Sequence, residues 1–356
     1  MRLSLSATVV VSIGAAFFAQ YAAPQQANQK TAAEAFKNVQ VLKRVPAEQW
    51  FDTMAFIAGS LGVTCDHCHS SEFETDDGNP AKLKAREMMR MVDEINRNHF
   101  DDKVVVTCNT CHRGSLKPQH GPKPDAEHWM KAAEKAPLPP SSEEILARYR
   151  KSIGAGTREV VRTQSVSLQV ATYGGTGPAT HSSLDFLLDG QDKVRVSTGD
   201  GQTVKTMIKN GKEAWINDGP GWRVMKSGEE SNVFDAVAIL IPDQVGTFES
   251  SGAVFEEKVD GHRAFVVPGG SKDEKKWLFF DARSGVLLRK RMFFPSFYGE
   301  GSVDIDYFDY QKFGGILLPT EFDFVNAGGS GLTISNVTKR RVNLKFEHNQ
   351  FEQPKD

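Results

Sequence analysis

Two Cys-x-x-Cys-His pentads constrain this chain more than any other feature: Cys65-Asp66-His67-Cys68-His69 and Cys108-Asn109-Thr110-Cys111-His112. Two thiols at that spacing can add to the two vinyl groups of one porphyrin. The histidine that follows then lies under the iron as its proximal ligand, which is the attachment pattern of a c-type haem. These four cysteines are the only ones among 356 residues, so two covalent haems consume them all and leave none for a disulfide. Cys65, Cys68, His69, Cys108, Cys111 and His112 are the expected haem-binding residues, with His69 and His112 on the two irons. A zinc ribbon also uses two Cys-x-x-Cys pairs, but its pairs are usually about 15–20 residues apart. Here the stretch from Cys68 to Cys108 is much longer, and a zinc ribbon needs no histidine after each pair. A thioredoxin-like pair would open a helix in a βαβ unit, and no such unit is legible.

The N-terminus points to the compartment where such haems are attached, outside the cytoplasm. Arg2 forms a short basic region, Leu3 to Phe18 is dominated by apolar and small residues, and small residues follow to Ala23. Residues 1–23 are expected to be a secretory signal peptide cut near Ala22 or Ala23. No cysteine stands there to carry a lipoprotein anchor. The expected location is periplasmic or otherwise exported. No transmembrane helix is expected in the mature chain, since the densest apolar run, Ala236 to Ile241, is far too short to span a bilayer. A net charge of −2 and a pI near 6.5 give no global attraction for nucleic acid.

Composition changes near residue 115. Helical patterning and every cysteine precede it, and Pro118, Pro122, Pro124, Pro137, Pro139 and Pro140 follow it, a stretch that no continuous helix can cross. Ser141 and Ser142 before Glu143-Glu144 read as the start of a short helix ending near Gly154. From Thr157 the pattern has period two, as in Val166-Ser167-Leu168-Gln169-Val170, with turn signals at Asp189-Gly190, Asp200-Gly201, Asn210-Gly211, Asp260-Gly261, Ser284-Gly285 and Gly314-Gly315. This reads as an antiparallel meander of about ten strands with one helical interruption near Glu229 to Leu240. The expected fold is multidomain: a mostly α dihaem cytochrome c domain over residues 34–130, a linker with a short helix over 131–156, and an antiparallel β-rich domain over 157–350. The linker and the change of period predict two separate cores.

A six-coordinate haem needs a second axial ligand, and methionine or histidine can supply it. Pro46-Ala47-Glu48 opens a helix that Gly62 stops, with Trp50, Met54, Ile57 and Leu61 on one apolar stripe. Asn79 and Pro80 open a second that ends near Asn98, with Ala81, Ala85, Met88, Val92 and Ile95 as its stripe and Met89 and Met91 flanking it. Met54, Met88, Met89 and Met91 are ligand candidates by position, and core packing is the ordinary role of a methionine on such a stripe. His99, His120 and His128 are rivals. His67, between two haem cysteines, cannot easily reach the same iron.

The stretches Lys37 to Leu42, Thr53-Met54, Ala85 to Met88, Ile95-Asn96 and Val106 to Gly114 resemble the tetrahaem cytochrome subunit of photosynthetic reaction centres over about residues 34–120, one dihaem half of that subunit. In that family each of these haems takes its sixth ligand from a methionine on the helix before its pentad. The resemblance therefore implies Met54 and, aligned through Ile95-Asn96, Met88 as metal ligands. The other half of the subunit, its loop histidine and its lipid attachment have no counterpart here, so a role in photosynthesis does not carry over. The text from Trp277 to Arg289, then Asp306 to Gln311 and Gly315 to Pro319, resembles periplasmic lipoprotein carriers of the LolA/LolB kind. That likeness implies an unclosed antiparallel β-barrel around helices, with Trp215, Phe279 and Phe324 as residues that could face a lipophilic ligand.

The expected function is electron transfer through two Met/His-ligated haems, with a β domain for binding or docking. Periplasmic or membrane redox proteins are the expected partners, together with a lipid or lipophilic ligand. Residues 157–350 hold no nucleophile–base constellation, and His181, His262 and His348 are scattered. The rival readings are a haem peroxidase-like enzyme, which requires an open sixth position, and a redox sensor that binds a lipophilic molecule.

Overall fold

The computed structural model describes residues 30–70, 77–118, 139–154, 163–173, 178–190, 193–199, 204–211, 213–217, 221–225, 248–271, 274–325 and 332–352. The expected signal segment, most of the proline-rich stretch with His120 and His128, the turn expected at Asp200-Gly201 and the helix expected from Glu229 to Leu240 lie outside the described residues.

The first part is helical: α1 (Ala32–Ala35), α2 (Trp50–Leu61), α3 (Pro80–His99) and α4 (Cys108–His112). A 3-10 turn over Ala47–Gln49 leads from Pro46 into α2, and Gly62 ends it in the left-handed region at φ 65°. At α3 the Asn79 carboxamide accepts from the Ala81 N–H at 2.8 Å, and Pro80 occupies the first turn, where a missing N–H costs nothing.

The buried faces of both helices are rotated from the apolar stripes. On α2 the buried residues are Thr53, Ala55, Ile57, Ala58 and Ser60, and on α3 they are Lys82, Arg86, Met89, Val92 and Asn96. Apolar periodicity misses this because small and polar residues hold those positions by specific bonds. Arg86 reaches Asp77 at 2.7 Å and the Asn38 carbonyl at 3.3 Å, and Thr53 donates to the Gln49 carbonyl at 2.7 Å. Met54 and Met88 are both half-buried, while Met89 is buried and Met91 exposed.

Helix α5 (Ser142–Ile153) starts and stops where expected. The Ser141 hydroxyl accepts from the Glu144 N–H at 3.2 Å, the Glu144 carboxylate accepts from the Ser141 N–H at 2.8 Å, and Gly154 follows the last turn.

The remaining described chain is β: β1 (Thr163–Tyr173), β2 (Thr180–Asp189), β3 (Lys193–Gly199), β4 (Val204–Asn210), β5 (Glu213–Asn217), β6 (Trp222–Val224), β7 (Phe255–Val259), β8 (His262–Ser271), β9 (Glu274–Asp281), β10 (Leu287–Ser296), β11 (Gly299–Phe308), β12 (Gln311–Phe313), β13 (Ile316–Leu318), β14 (Glu321–Val325) and β15 (Leu332–Val342). That is more than the expected ten, because β5, β6, β12 and β13 are too short to show a period. Among the described residues thirteen strands form one sheet in the order β6-β5-β4-β3-β2-β1-β15-β14-β11-β10-β9-β8-β7, and β12 and β13 pair apart from it. The pairings are antiparallel, and the sheet is unclosed, with β6 and β7 at its edges. The turn signals act as expected: Asp260 at φ 47° and Gly261 at φ 83° join β7 to β8, a backbone that suits the right-handed twist of the strands it connects.

One face of the sheet packs on α5 through Ile145, Leu146, Tyr149 and Ile153, and Tyr149 meets Phe280 at 5.3 Å between ring centroids. This cluster contains Phe324 but not Phe279, which lies with Val259, Ala264 and Val266 in another. Trp215 alternates with Ala214 and Ile216, which pack in the α5 cluster, so its side chain takes the other face. The three aromatics named for a common ligand cavity therefore do not share one face. The two parts also share a cluster: Tyr298, between β10 and β11, is buried with Ile57, Met89 and Val92 of the helical part.

Candidate haem site

Each pentad occupies a single helical turn, which places two thiols and a histidine together. In the first, a 3-10 turn over Cys65–His67, the Cys65 carbonyl accepts from the N–H groups of Cys68 at 3.2 Å and His69 at 3.0 Å. The second is α4, whose start is closed by the Thr107 N–H donating to the Thr110 hydroxyl at 3.0 Å.

Three ties fix the pentads relative to their helices and to each other. Asn79, which caps α3, also donates to the His67 carbonyl at 3.1 Å, so α3 starts against the first pentad. Near its other end, Asn96 holds the segment entering the second pentad. Its carboxamide oxygen accepts from Val105 N–H at 3.1 Å and Val106 N–H at 2.8 Å, and its nitrogen donates to the Val106 carbonyl at 2.8 Å. The third tie joins the end of α2, before the first pentad, to the residues just after the second. Gly114, two residues past His112, donates to the Ser60 carbonyl at 2.9 Å, just before Gly62 and the first pentad. A Cβ on Gly62 would stand 2.3 Å from the Gly114 carbonyl oxygen, so glycine is required for this approach.

None of the four cysteines is in a disulfide. Burial pushes the Cys108 thiol up to about 11 and raises Cys68 in the same direction, so both are neutral near pH 7. His112 Nδ1 lies 3.0 Å from the Ser115 carbonyl. A carbonyl only accepts, so Nδ1 carries the proton and Nε2 keeps its lone pair for a metal. Both His69 and His112 are half-buried. Among the described residues no three His, Cys, Asp or Glu side chains converge on a point suited to a metal ion.

The donor set fits haem c: on each turn two thiols for the vinyl groups and one imidazole for the iron, the second imidazole already held in the ligand tautomer. Among the candidate sixth ligands, Met54 packs against the Ile57, Met89, Val92 and Tyr298 cluster. Met88 is half-buried on α3 beside the buried Met89, Met91 is 43% exposed, and His99 is exposed at the end of α3. Sequence reasoning missed Asn96, Ser115, the approach of Gly62 to Gly114 and Tyr298. One signal was present: Phe297-Tyr298 sits where a two-residue hairpin turn usually carries Gly, Asn or Asp.

Residues 6–142 match the family model described as "Photosynthetic reaction centre cytochrome C subunit". Cytochrome c-554 of Chloroflexus aurantiacus is 33% identical over 84 residues, covering 22% of this chain and 20% of that protein. The photosynthetic reaction center cytochrome c subunit of Rubrivivax gelatinosus is 31% identical over 90 residues, 24% of each. The chain thus spans about a quarter or less of the length of these two relatives. Among solved structures, a LolA superfamily protein from Nitrosomonas europaea aligns at 10% identity and a TM-score of 0.42, covering 60% of this chain and 99% of that one. A putative outer membrane lipoprotein-sorting protein domain from Vibrio parahaemolyticus aligns at 14% identity and a TM-score of 0.42, covering 58% and 94%. No helix among the described residues is long and apolar enough to cross a membrane. The N-terminal part of the chain, from residue 6 to residue 142, is similar to the photosynthetic reaction centre cytochrome c subunit family.

Proposed function

We propose that this protein is an exported electron carrier whose helical part, residues 34–130, binds two covalent haem c groups. Cys65 and Cys68 would tether one haem, and His69 and Met54 would hold its iron. Cys108 and Cys111 would tether the other, and His112 and Met88 would hold its iron. Haem c supplies one-electron Fe(III)/Fe(II) chemistry when bound. The protein's own residues set the conditions for it. The bond from His112 Nδ1 to Ser115 orients the imidazole and makes it a stronger donor. Methionine as the second protein ligand would raise the potential relative to a second histidine. The apolar cluster around Ile57 and Met89 excludes water, which disfavours the more highly charged ferric state.

The observation that carries this reading is the pair of pentads, each folded into one turn, each preceded by a methionine-bearing helix. A methionine available on each helix favours six-coordinate carriers over a peroxidase. The sheet domain, residues 157–350, serves binding or docking, with a lipid or other lipophilic molecule as its ligand class. Redox proteins of the periplasm or of a membrane surface are the partners. The test is a haem count on protein exported through a cytochrome c maturation system. Denatured protein should keep two haem equivalents by mass and show a low-spin reduced-minus-oxidised spectrum. Bound zinc, or haem extractable by acid and organic solvent, would refute it.

A further inference from the structure

The turn between β10 and β11 reaches out of the sheet domain and into the helical one. Ser296 and Gly299 are cross-strand partners, so Phe297 and Tyr298 form the two-residue tip, with the Ser296 hydroxyl donating to the Gly299 carbonyl at 2.7 Å. Two aromatic residues at such a tip would ordinarily stand in water, yet Tyr298 is only 5% exposed. Its ring stacks on Phe56 of α2 at 6.0 Å and 28°, and the Phe297 ring meets it edge-on at 5.4 Å. The backbone is pinned too: the Phe297 N–H donates to the hydroxyl of Thr53, a fully buried residue, at 3.3 Å. Tyr298 belongs to the same cluster as Ile57, Met89 and Val92, and Cys108 and Met54 pack against that cluster. Beside it lies a cavity of about 260 Å³, lined from both parts, by Val92, Asn96 and Val104 on one side and Phe297 and Tyr298 on the other.

We propose that Tyr298 is a positioning residue for the second haem, contributed by the sheet domain: it closes the apolar wall beside Cys108 and holds α2 against α3. The inference rests on the dihaem reading. Cys108 carries one tether of that haem, so whatever packs beside Cys108 borders the haem edge. A tyrosine ring buries on the order of 150–250 Å². Truncating it joins the adjoining cavity to the space beside Cys108 and admits water to the haem. Water stabilises the ferric state, so the potential falls. The sheet domain thereby becomes part of the haem site, and a change of its position alters the surroundings of Cys108.

The experiment uses the full chain with Tyr298→Phe, Tyr298→Leu and Tyr298→Ala. Each variant is checked for two covalent haems and then titrated potentiometrically. Y298F, which keeps the ring, should match the wild type. Y298L and Y298A should lower the midpoint of the second haem, Y298A by about a tenfold change in the reduction equilibrium, about 59 mV for one electron. The midpoint that moves should be the one that Met88→His moves. A residue that merely glues the two domains would shift thermal stability and leave both midpoints alone. If Y298L or Y298A matures with two haems and both midpoints coincide with the wild type, the inference is overturned. Should Y298A fail to mature, Y298L decides. A wild-type haem count other than two refutes the dihaem reading itself, a separate outcome.

Discussion

Replacing Gly62 by alanine tests the closest approach in the haem region, and the structure supplies its own control. Gly62 and Gly114 both sit in the left-handed region, at φ 65° and 76°. An alanine there costs about 1–2 kcal/mol through the clash of its Cβ with the following carbonyl. At Gly114 nothing else is lost, because a Cβ would lie 4.0 Å from its nearest neighbour, the Gly59 carbonyl oxygen. At Gly62 the Cβ would stand 2.3 Å from a backbone oxygen, and no side chain can rotate away to relieve it. The end of α2 must then move by about 1 Å to restore van der Waals contact. That movement breaks the bond from Gly114 N–H to the Ser60 carbonyl, a further loss of about 0.5–1.5 kcal/mol, and disturbs the packing around it. Gly62→Ala should therefore destabilise by about 2–4 kcal/mol against about 1–2 kcal/mol for Gly114→Ala. Urea unfolding of the mature protein, followed by Soret circular dichroism, reads both variants in the same cooperative unit. Equal losses for the two variants would show that the approach of α2 to the second pentad is not close in solution, and the tie from Gly114 to α2 would have to be given up.

Met54→His and Met88→His should each lower a different midpoint potential, since His/His ligation favours Fe(III) relative to Met/His. If M88H moves neither while Met91→His moves one, the ligand register on α3 is wrong. Asn96→Ala removes three bonds to the segment before Cys108 and should cost about 2–4 kcal/mol, with amide exchange accelerated at Val105 and Val106; unchanged protection there would contradict the tie. In the sheet, burial, then Glu321 and Asp306, push the Asp323 carboxyl up to about 6. Asp306 is its cross-strand partner, and Asp323 Oδ1 is buried without a hydrogen bond. A carboxyl raised on folding binds its proton more tightly in the folded state. Its favourable contribution is complete below the unfolded value near 4 and is lost as pH rises through about 6. Asp323→Asn should therefore gain stability over the wild type progressively between pH 4 and 7, by tryptophan-monitored urea unfolding. A difference that stays constant across that window would show that Asp323 does not titrate as described.

The sequence by itself determined the local chemistry and the local starts and stops. Two pentads named the six residues expected to hold haem because that chemistry needs fixed spacing along the chain. Asn79-Pro80, Gly62 and Ser141 marked helix ends because a cap acts within three residues of itself. Asp260-Gly261 marked a hairpin for the same reason. Apolar periodicity also gave the change from helical to β architecture. It misjudged which residues the helices bury, since it treats Thr53, Arg86 and Asn96 as solvent-facing, and each is held inside by a bond to a residue or backbone group elsewhere. Sequence also could not divide Phe279 from Phe324 between two clusters, nor count strands as short as β12 and β13. Only the tertiary structure decided that the first and last strands lie side by side, β1 against β15. It alone placed Gly114 on the Ser60 carbonyl and carried Tyr298 across 190 residues of sequence to the neighbourhood of Cys108. Contacts of that separation depend on how finished elements pack, where shape and mutual burial decide, and a pattern that repeats every two or four residues contains no record of them.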